Sequence, residues 1–142
     1  MKKWFLYLAL PVALAGCQGG PPDAEQKENL ETEVMALHDE AMADMSKIYR
    51  LRRNLTTLRD SLTAQSADTA LTNLLTRRIL QLDEADEAMM DWMRNYKSPD
   101  TLAHQQAMLY LQDEHKKIAR VKSLMDSTIS NAKDTYATYG GK

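Results

Sequence analysis

Apolar residues recur three or four positions apart along three stretches of the chain, which predicts three amphipathic α-helices. The first helix is expected to begin at Asp23, as its N-cap, and to end near Thr63. Its apolar stripe consists of Leu30, Val34, Leu37, Ala41, Met45, Ile48, Leu51, Leu55, Leu58 and Leu62. The stripe of the second helix consists of Leu71, Leu75, Ile79, Leu82, Ala85, Met89, Trp92 and Tyr96. The stripe of the third helix consists of Leu102, Met108, Leu111, Ile118, Val121, Met125, Ile129, Ala132 and Tyr136.

Two short polar segments separate these stripes. In the first segment, Ser66 or Asp68 is expected to cap the second helix. In the second segment, Ser98 is expected to cap the third helix, with Pro99 at its first position, where a missing N–H costs nothing. Short turns of this kind make neighbouring helices antiparallel.

The composition agrees with a helical fold, because glycine is absent between Pro21 and Tyr139. The sequence therefore predicts an all-α fold, an up-down-up bundle of three long, coiled-coil-like helices that occupies residues 24–138. At 1.5 Å per residue the first and third helices would be about 60 Å long and the second about 40 Å. Residues 139–142 are expected to form a disordered tail.

The N-terminus has the features of an export signal. Lys2 and Lys3 precede an apolar run at residues 4–12, which is shorter than the roughly 20 residues needed to span a bilayer. The segment Leu14-Ala15-Gly16-Cys17 follows. It resembles the lipobox of bacterial lipoproteins, in which small residues precede the cleavage site and a cysteine follows it.

This resemblance implies that residues 1–16 are a cleaved signal peptide and that Cys17 carries a diacylglycerol and an acylated amino terminus. Several acyl chains anchor a protein firmly, whereas one chain does not. Residues 17–23 would then be a lipidated, flexible tether. An acidic residue after the cysteine resembles an inner-membrane retention signal in some bacteria, and Gln18 at that position favours the outer membrane, with the domain facing the periplasm.

Charge and cysteine content exclude several other classes of protein. Of 18 basic residues, the predicted cleavage removes Lys2 and Lys3, which leaves 16 against 20 acidic residues. This negative balance argues against a nucleic-acid partner. Cys17 is the only cysteine, so no disulfide forms within the chain. No arrangement of catalytic residues supports an enzyme.

Most of the methionines are predicted to meet in one slab of the bundle, at its tether end. In an antiparallel pair of helices, the numbers of two residues that face each other add up to a constant. This sum is about 133 for the first and second helices and about 197 for the second and third. Met93 would then lie opposite His104, Met89 opposite Met108 and Met42 near Met90. The expected site residues in this slab are His38, Met42, Met45, Met89, Met90, Met93, His104 and Met108.

The residue types of this slab suit Cu(I) or Ag(I). Thioether sulfur is a soft, neutral ligand that selects Cu(I), and imidazole suits copper as well. In ligand type the segment around Trp92 is similar to periplasmic copper and silver chaperones, which pair methionines with a histidine and a nearby tryptophan. Those chaperones are small β-barrels, so this similarity covers the chemistry alone.

Other interpretations of the same residues stay open. Methionine is an adaptable core residue, and a stripe of it at helical spacing also fits plain packing. Residues outside the core stripes, such as Met35 and Met42, equally fit a docking surface for a partner protein. A His/Met pair could ligate a b-type haem, although three long helices seldom leave room for one. Neither His38 nor His115 has the nitrogen-rich neighbours of a zinc site.

Two elements resemble a group of small helical lipoproteins from Gram-negative bacteria. These are His-x-x-x-Met-x-x-Met, at His38 to Met45, and Met-Met-x-Trp-Met, at Met89 to Met93. The resemblance implies the helical fold and the lipid anchor over most of the mature chain, and it does not imply an activity.

Overall fold

The computed structural model describes residues 22–65 and 68–140, and these residues form three packed α-helices without a strand. The helices are α1 (Asp23–Ala64), α2 (Thr69–Asn95) and α3 (His104–Tyr139). At 1.5 Å per residue they are about 63, 41 and 54 Å long. The all-helical prediction is confirmed. No helix in the described part of the chain has the length and apolarity to span a membrane.

The predicted stripes of α1 and α2 form the core of the bundle. Fully buried side chains from these stripes include Ile48, Leu55, Leu75 and Leu82. From Leu111 onward most of the α3 stripe is buried, with Ile118, Met125, Ile129 and Ala132 in the core, while Val121 and Tyr136 are partly buried against it. Leu102 departs from the prediction because it precedes α3 and is 41% exposed.

The helix ends lie at or within one residue of the predicted positions at three places. The Asp68 side chain caps α2 by accepting a hydrogen bond of 2.8 Å from the Ala70 N–H. The last helical residue is Tyr139, one position beyond the predicted end of the bundle at residue 138. At the start of α1 the N-cap is Pro22, and Asp23 is already the first helical residue.

The prediction that Ser98 and Pro99 begin the third helix is wrong. Residues 96–103 lie outside the helices, and α3 begins at His104. Pro99 is fully buried, the Ser98 hydroxyl lies 3.0 Å from Glu31 Oε1, and Lys27 Nζ lies 3.3 Å from Asp100 Oδ1. These contacts hold the segment against α1, so α3 starts later in the chain.

Contacts between helices give their directions and register. His38 contacts Met93 and Arg52 binds Asp83 at 2.6 Å, so α2 runs antiparallel to α1, as predicted. On α3, His104 lies 3.7 Å from Asp23, and Lys122 lies 3.8 Å from Asp44. The third helix is therefore parallel to α1, which gives the up-down-up order.

The predicted register between α2 and α3 is wrong. The ring of Tyr96 lies 6.2 Å from that of Tyr110, and Arg78 Nε donates to Thr135 Oγ1 at 3.2 Å. The sequence places Tyr96 opposite residue 101 and Arg78 opposite residue 119. These contacts displace α3 by nine to sixteen residues, or about 14 to 24 Å along the helix axis. The segment 96–103 causes the shift, because it runs beside α1 beyond the end of α2 before α3 begins.

Candidate metal centre

His38 and Met93 form the contact at the centre of the candidate site. His38 Nε2 lies 3.3 Å from Met93 Sδ, and His38 Nδ1 lies 2.9 Å from Asp39 Oδ1. The carboxylate of Asp39 only accepts hydrogen bonds, so the neutral imidazole carries its proton on Nδ1. In this neutral form Nε2 has a lone pair that an ion can bind, whereas an imidazolium carries a proton on Nε2 as well and donates a hydrogen bond to the Met93 sulfur.

The spacing of these two atoms suits shared binding of one ion. Bonds of about 2.0 Å to nitrogen and about 2.3 Å to sulfur, at a tetrahedral angle, place the two ligand atoms about 3.5 Å apart. The observed 3.3 Å is close to this separation. A carboxylate that accepts from the second ring nitrogen is also the common outer partner of a metal-binding histidine. Asp39 has this position here.

The register of α1 and α2 places two further methionines near this contact. Met42 follows His38 by one helical turn, and Met90 precedes Met93 by three residues, so each shares a helix side with its neighbour. Because the helices are antiparallel and His38 contacts Met93, Met42 and Met90 come to the same level. We call His38, Met42, Met90 and Met93 the seam cluster. Met42 is 37% exposed and the His38 side chain 18%, so solvent reaches the cluster.

Met45 and Met89 belong to the core rather than to the seam cluster. Their exposed fractions are 5% and 0%, and both pack in the main hydrophobic cluster. Their burial favours a packing role, in which the flexible thioether fills space between helices. The sequence could not separate them from the seam cluster, because they lie within one turn of Met42 and Met90.

The structure does not bring His104 and Met108 to the seam cluster. His104 Nε2 lies 3.7 Å from Asp23 Oδ1, and Asp23 precedes His38 by fifteen residues, or about 22 Å along α1. The prediction that Met93 faces His104, and Met89 faces Met108, is therefore wrong, and the shift of α3 is the reason. The same shift brings His115, which the sequence placed outside the slab, toward the level of Asn95, since Asn95 and Glu114 line one groove.

A row of aromatic rings leads away from His38. The His38 and Trp92 rings are 5.6 Å apart, Trp92 and Tyr96 stack at 4.9 Å, and Tyr96 and Tyr110 lie 6.2 Å apart. We call these four residues the aromatic chain. Its Trp92 Nε1 atom is buried without a hydrogen-bond partner in the described part of the protein. The sequence missed the chain, because Tyr110 lies outside the α3 stripe and reaches Tyr96 only through the shifted register.

Tyr96 is the most strongly perturbed group of the aromatic chain. Its hydroxyl donates a hydrogen bond of 3.2 Å to Glu31 Oε1. Burial raises the pKa of Tyr96 well above its ordinary value, and the negative charge of Glu31 raises it further. The folded protein therefore holds the phenol proton more tightly than the unfolded chain does.

This raised pKa predicts a loss of stability in alkaline solution. The contribution of Tyr96 is complete below about pH 10, the ordinary value of tyrosine, and it is lost as the pH rises above that value. We expect the free energy of unfolding to fall more between about pH 8 and about pH 11 for the natural chain than for Tyr96→Phe. Denaturant unfolding at the two pH values measures this difference, and equal losses would contradict the assignment.

Oxygen and nitrogen ligands do not form a separate centre in the part of the chain that the structure describes. No group of three or more His, Cys, Asp or Glu side chains there is placed to hold a metal ion. The seam cluster is of a different kind, since three of its four ligand groups are thioethers. Cys17 lies outside the described residues.

Known proteins add no assignment for the seam cluster. The chain matches no protein-family model, no curated protein and no solved structure. The function is therefore argued from the geometry and chemistry of the residues themselves.

Proposed function

We propose that this protein is a lipid-anchored, non-enzymatic protein of the cell envelope that binds Cu(I) or Ag(I) through the seam cluster, for storage, delivery or protection. The observation that carries the proposal is the 3.3 Å approach of His38 Nε2 to Met93 Sδ. Asp39 supports it, because a carboxylate beside the second ring nitrogen is the common outer partner of a metal-binding histidine.

The ligand types favour a soft monovalent ion over the commoner divalent ones. Three thioethers and one imidazole are neutral and polarisable, which suits Cu(I) and Ag(I) better than Zn(II), Ca(II) or Mg(II). Four neutral ligands leave the charge of the ion uncompensated. The carboxylate of Asp39, hydrogen-bonded to His38, supplies an opposite charge beside the cluster.

The lipid anchor belongs to the proposal through the lipobox resemblance at Cys17. Five residues lie between Cys17 and Asp23, where α1 begins, and the six steps along the chain span at most about 22 Å. His38 lies about 22 Å further along α1. Bound metal would therefore be held within roughly 40 Å of the membrane surface, on a domain that faces the periplasm.

A Cu(I) titration tests this proposal. The protein is the chain from residue 17 onward with Cys17→Ser, which removes its only thiol, so thioether and imidazole ligands are measured alone. We expect one Cu(I) per chain with a dissociation constant below about 1 µM, or about −8.2 kcal/mol, in competition with a Cu(I) chelator. Ag(I) should compete for the same site, and Zn(II) should not. Binding weaker than micromolar would contradict the proposal.

A second candidate function is docking of a partner protein on the same seam. The observation that favours it is the 37% exposure of Met42, since exposed methionines provide adaptable apolar contacts. The titration separates the two functions, because a docking surface alone binds no Cu(I).

A further inference from the structure

We infer that the aromatic chain is an electron donor that protects the methionine ligands from oxidation when a hydroperoxide reacts with bound Cu(I). The inference rests on the proposed function, and it adds a redox role for Trp92, Tyr96 and Glu31. None of these three residues supplies a metal ligand in the seam cluster.

The geometry gives a continuous route for an electron. Ring centroids are separated by 5.6 Å from His38 to Trp92 and by 4.9 Å from Trp92 to Tyr96, which stack with an interplanar angle of 28°. The last step, to Tyr110, is 6.2 Å. Indole and phenol lose one electron more readily than a thioether does. A ligand of the proposed metal site is thus in ring contact with the first of three such donors.

The hydroxyl of Tyr96 lies beside a proton acceptor, the carboxylate of Glu31. Oxidation of tyrosine makes its hydroxyl strongly acidic, so the radical forms readily only when the proton can leave. Tyr96 already donates its hydrogen bond to Glu31 Oε1 at 3.2 Å. Tyr110 is held differently, because its hydroxyl oxygen accepts from the Lys97 N–H at 2.9 Å. Tyr96 is therefore the residue on which the radical should settle.

The proposed step is balanced in electrons and protons. Bound Cu(I) would supply one electron to hydrogen peroxide and become Cu(II), Trp92 would supply the second electron, and the O–O bond would break to give two hydroxide ions. Trp92 regains its electron from Tyr96, whose phenol proton passes to the Glu31 carboxylate. The products are Cu(II), two hydroxide ions, a neutral Tyr96 radical and protonated Glu31.

Protection has a chemical reason in this site. Methionine that meets a peroxide directly becomes the sulfoxide, a polar group that no longer offers a thioether ligand. Three of the four ligand groups in the seam cluster are thioethers, and peroxide could convert each of them to a sulfoxide. When Trp92 supplies the electron, the sulfur atoms are not oxidised. An external reductant can later convert the Tyr96 radical back to tyrosine.

Peroxide treatment of the Cu(I)-loaded protein tests the inference. The chain with Cys17→Ser is loaded with Cu(I), mixed with one equivalent of hydrogen peroxide and frozen. We expect the electron paramagnetic resonance signal of a neutral tyrosyl radical. In Trp92→Phe this signal should be lost, and sulfoxide at Met42, Met90 and Met93, measured by mass spectrometry, should rise about threefold or more.

Matched variants separate a redox role from a structural one. Tyr49→Phe changes an exposed ring outside the aromatic chain and should leave the radical and the sulfoxide yield as they are. Glu31→Gln should lower the radical yield without changing Cu(I) binding, because the phenol loses its base. Equal radical and sulfoxide yields in Trp92→Phe, Glu31→Gln and Tyr49→Phe would overturn the inference.

Cu(I) binding is measured on each variant before peroxide is added. A natural seam cluster that binds no Cu(I) would overturn the proposed function, and the inference with it. Normal Cu(I) binding without a tyrosyl radical would overturn the inference alone.

Discussion

Replacing His38 by alanine and Met93 by leucine together is expected to weaken Cu(I) binding at least about a hundredfold, or about 2.7 kcal/mol. The pair supplies the two ligand atoms that already lie 3.3 Å apart, so the variant removes half of the seam cluster. Leucine is close to methionine in volume, which keeps the packing of α2. Chelator competition and thermal unfolding, measured on the same sample, separate loss of binding from loss of fold.

The matched control is His104→Ala combined with Met108→Leu. It also removes one imidazole and one thioether at helical spacing, but His104 lies beside Asp23, about 22 Å from His38 along α1. We expect its Cu(I) affinity to equal that of the natural sequence. Equal losses in the two double variants would contradict the seam cluster and favour the single slab that the sequence predicts.

The sequence predicts the first hairpin correctly because its turn is short and locally determined. Asp68 caps α2 with its own side chain, so the direction and level of α2 follow from residues near the turn. The predicted register places His38 opposite Asn95, two residues from Met93, which His38 contacts in the structure. The spacing of apolar residues thus predicts which residues come close where a short connection, here between Ala64 and Thr69, joins two amphipathic helices.

The second connection could not be predicted, because contacts distant in sequence override its local signals. Ser98 and Pro99 are typical of a helix start, yet Pro99 is buried and Ser98 contacts Glu31, far along the chain. The resulting displacement of α3 separates His104 from His38 and creates the contact between Tyr96 and Tyr110. The spacing of apolar residues in α3 predicts neither the separation of His104 from His38 nor the contact between Tyr96 and Tyr110.

The solvent exposure of a side chain is a second property that the spacing of apolar residues in the sequence does not predict. Met42 and Met45 lie within one turn of each other on α1, but Met42 is 37% exposed and Met45 is 5% exposed. The difference depends on how closely α2 and α3 approach each side of α1. Helical periodicity identifies which residues share a face, whereas the tertiary packing decides which of them remain accessible to an ion.

Cys17→Ser is expected to abolish lipid attachment of the full-length protein. The serine oxygen does not replace the thiolate that would receive the diacylglycerol, so residues 1–16 should also remain uncleaved. Each buried methylene of an acyl chain contributes about 0.8 kcal/mol to membrane binding, so the loss of several chains removes nearly all of the anchoring free energy. Metabolic labelling with a palmitate analogue, detergent-phase partitioning and the mass of the protein measure this loss.

Gln18→Asp is the matched control, because it changes the neighbouring residue and leaves the thiol of Cys17 in place. This variant should take up the palmitate label, lose residues 1–16 and enter the detergent phase like the natural protein. Label on Cys17→Ser, or its absence from the natural chain, would contradict the anchor. The result of this lipidation test does not affect the test of the seam cluster, since the Cu(I) titration uses a chain without the lipid. An unlipidated protein that still binds Cu(I) would therefore move the site from the membrane surface into solution without changing its chemistry.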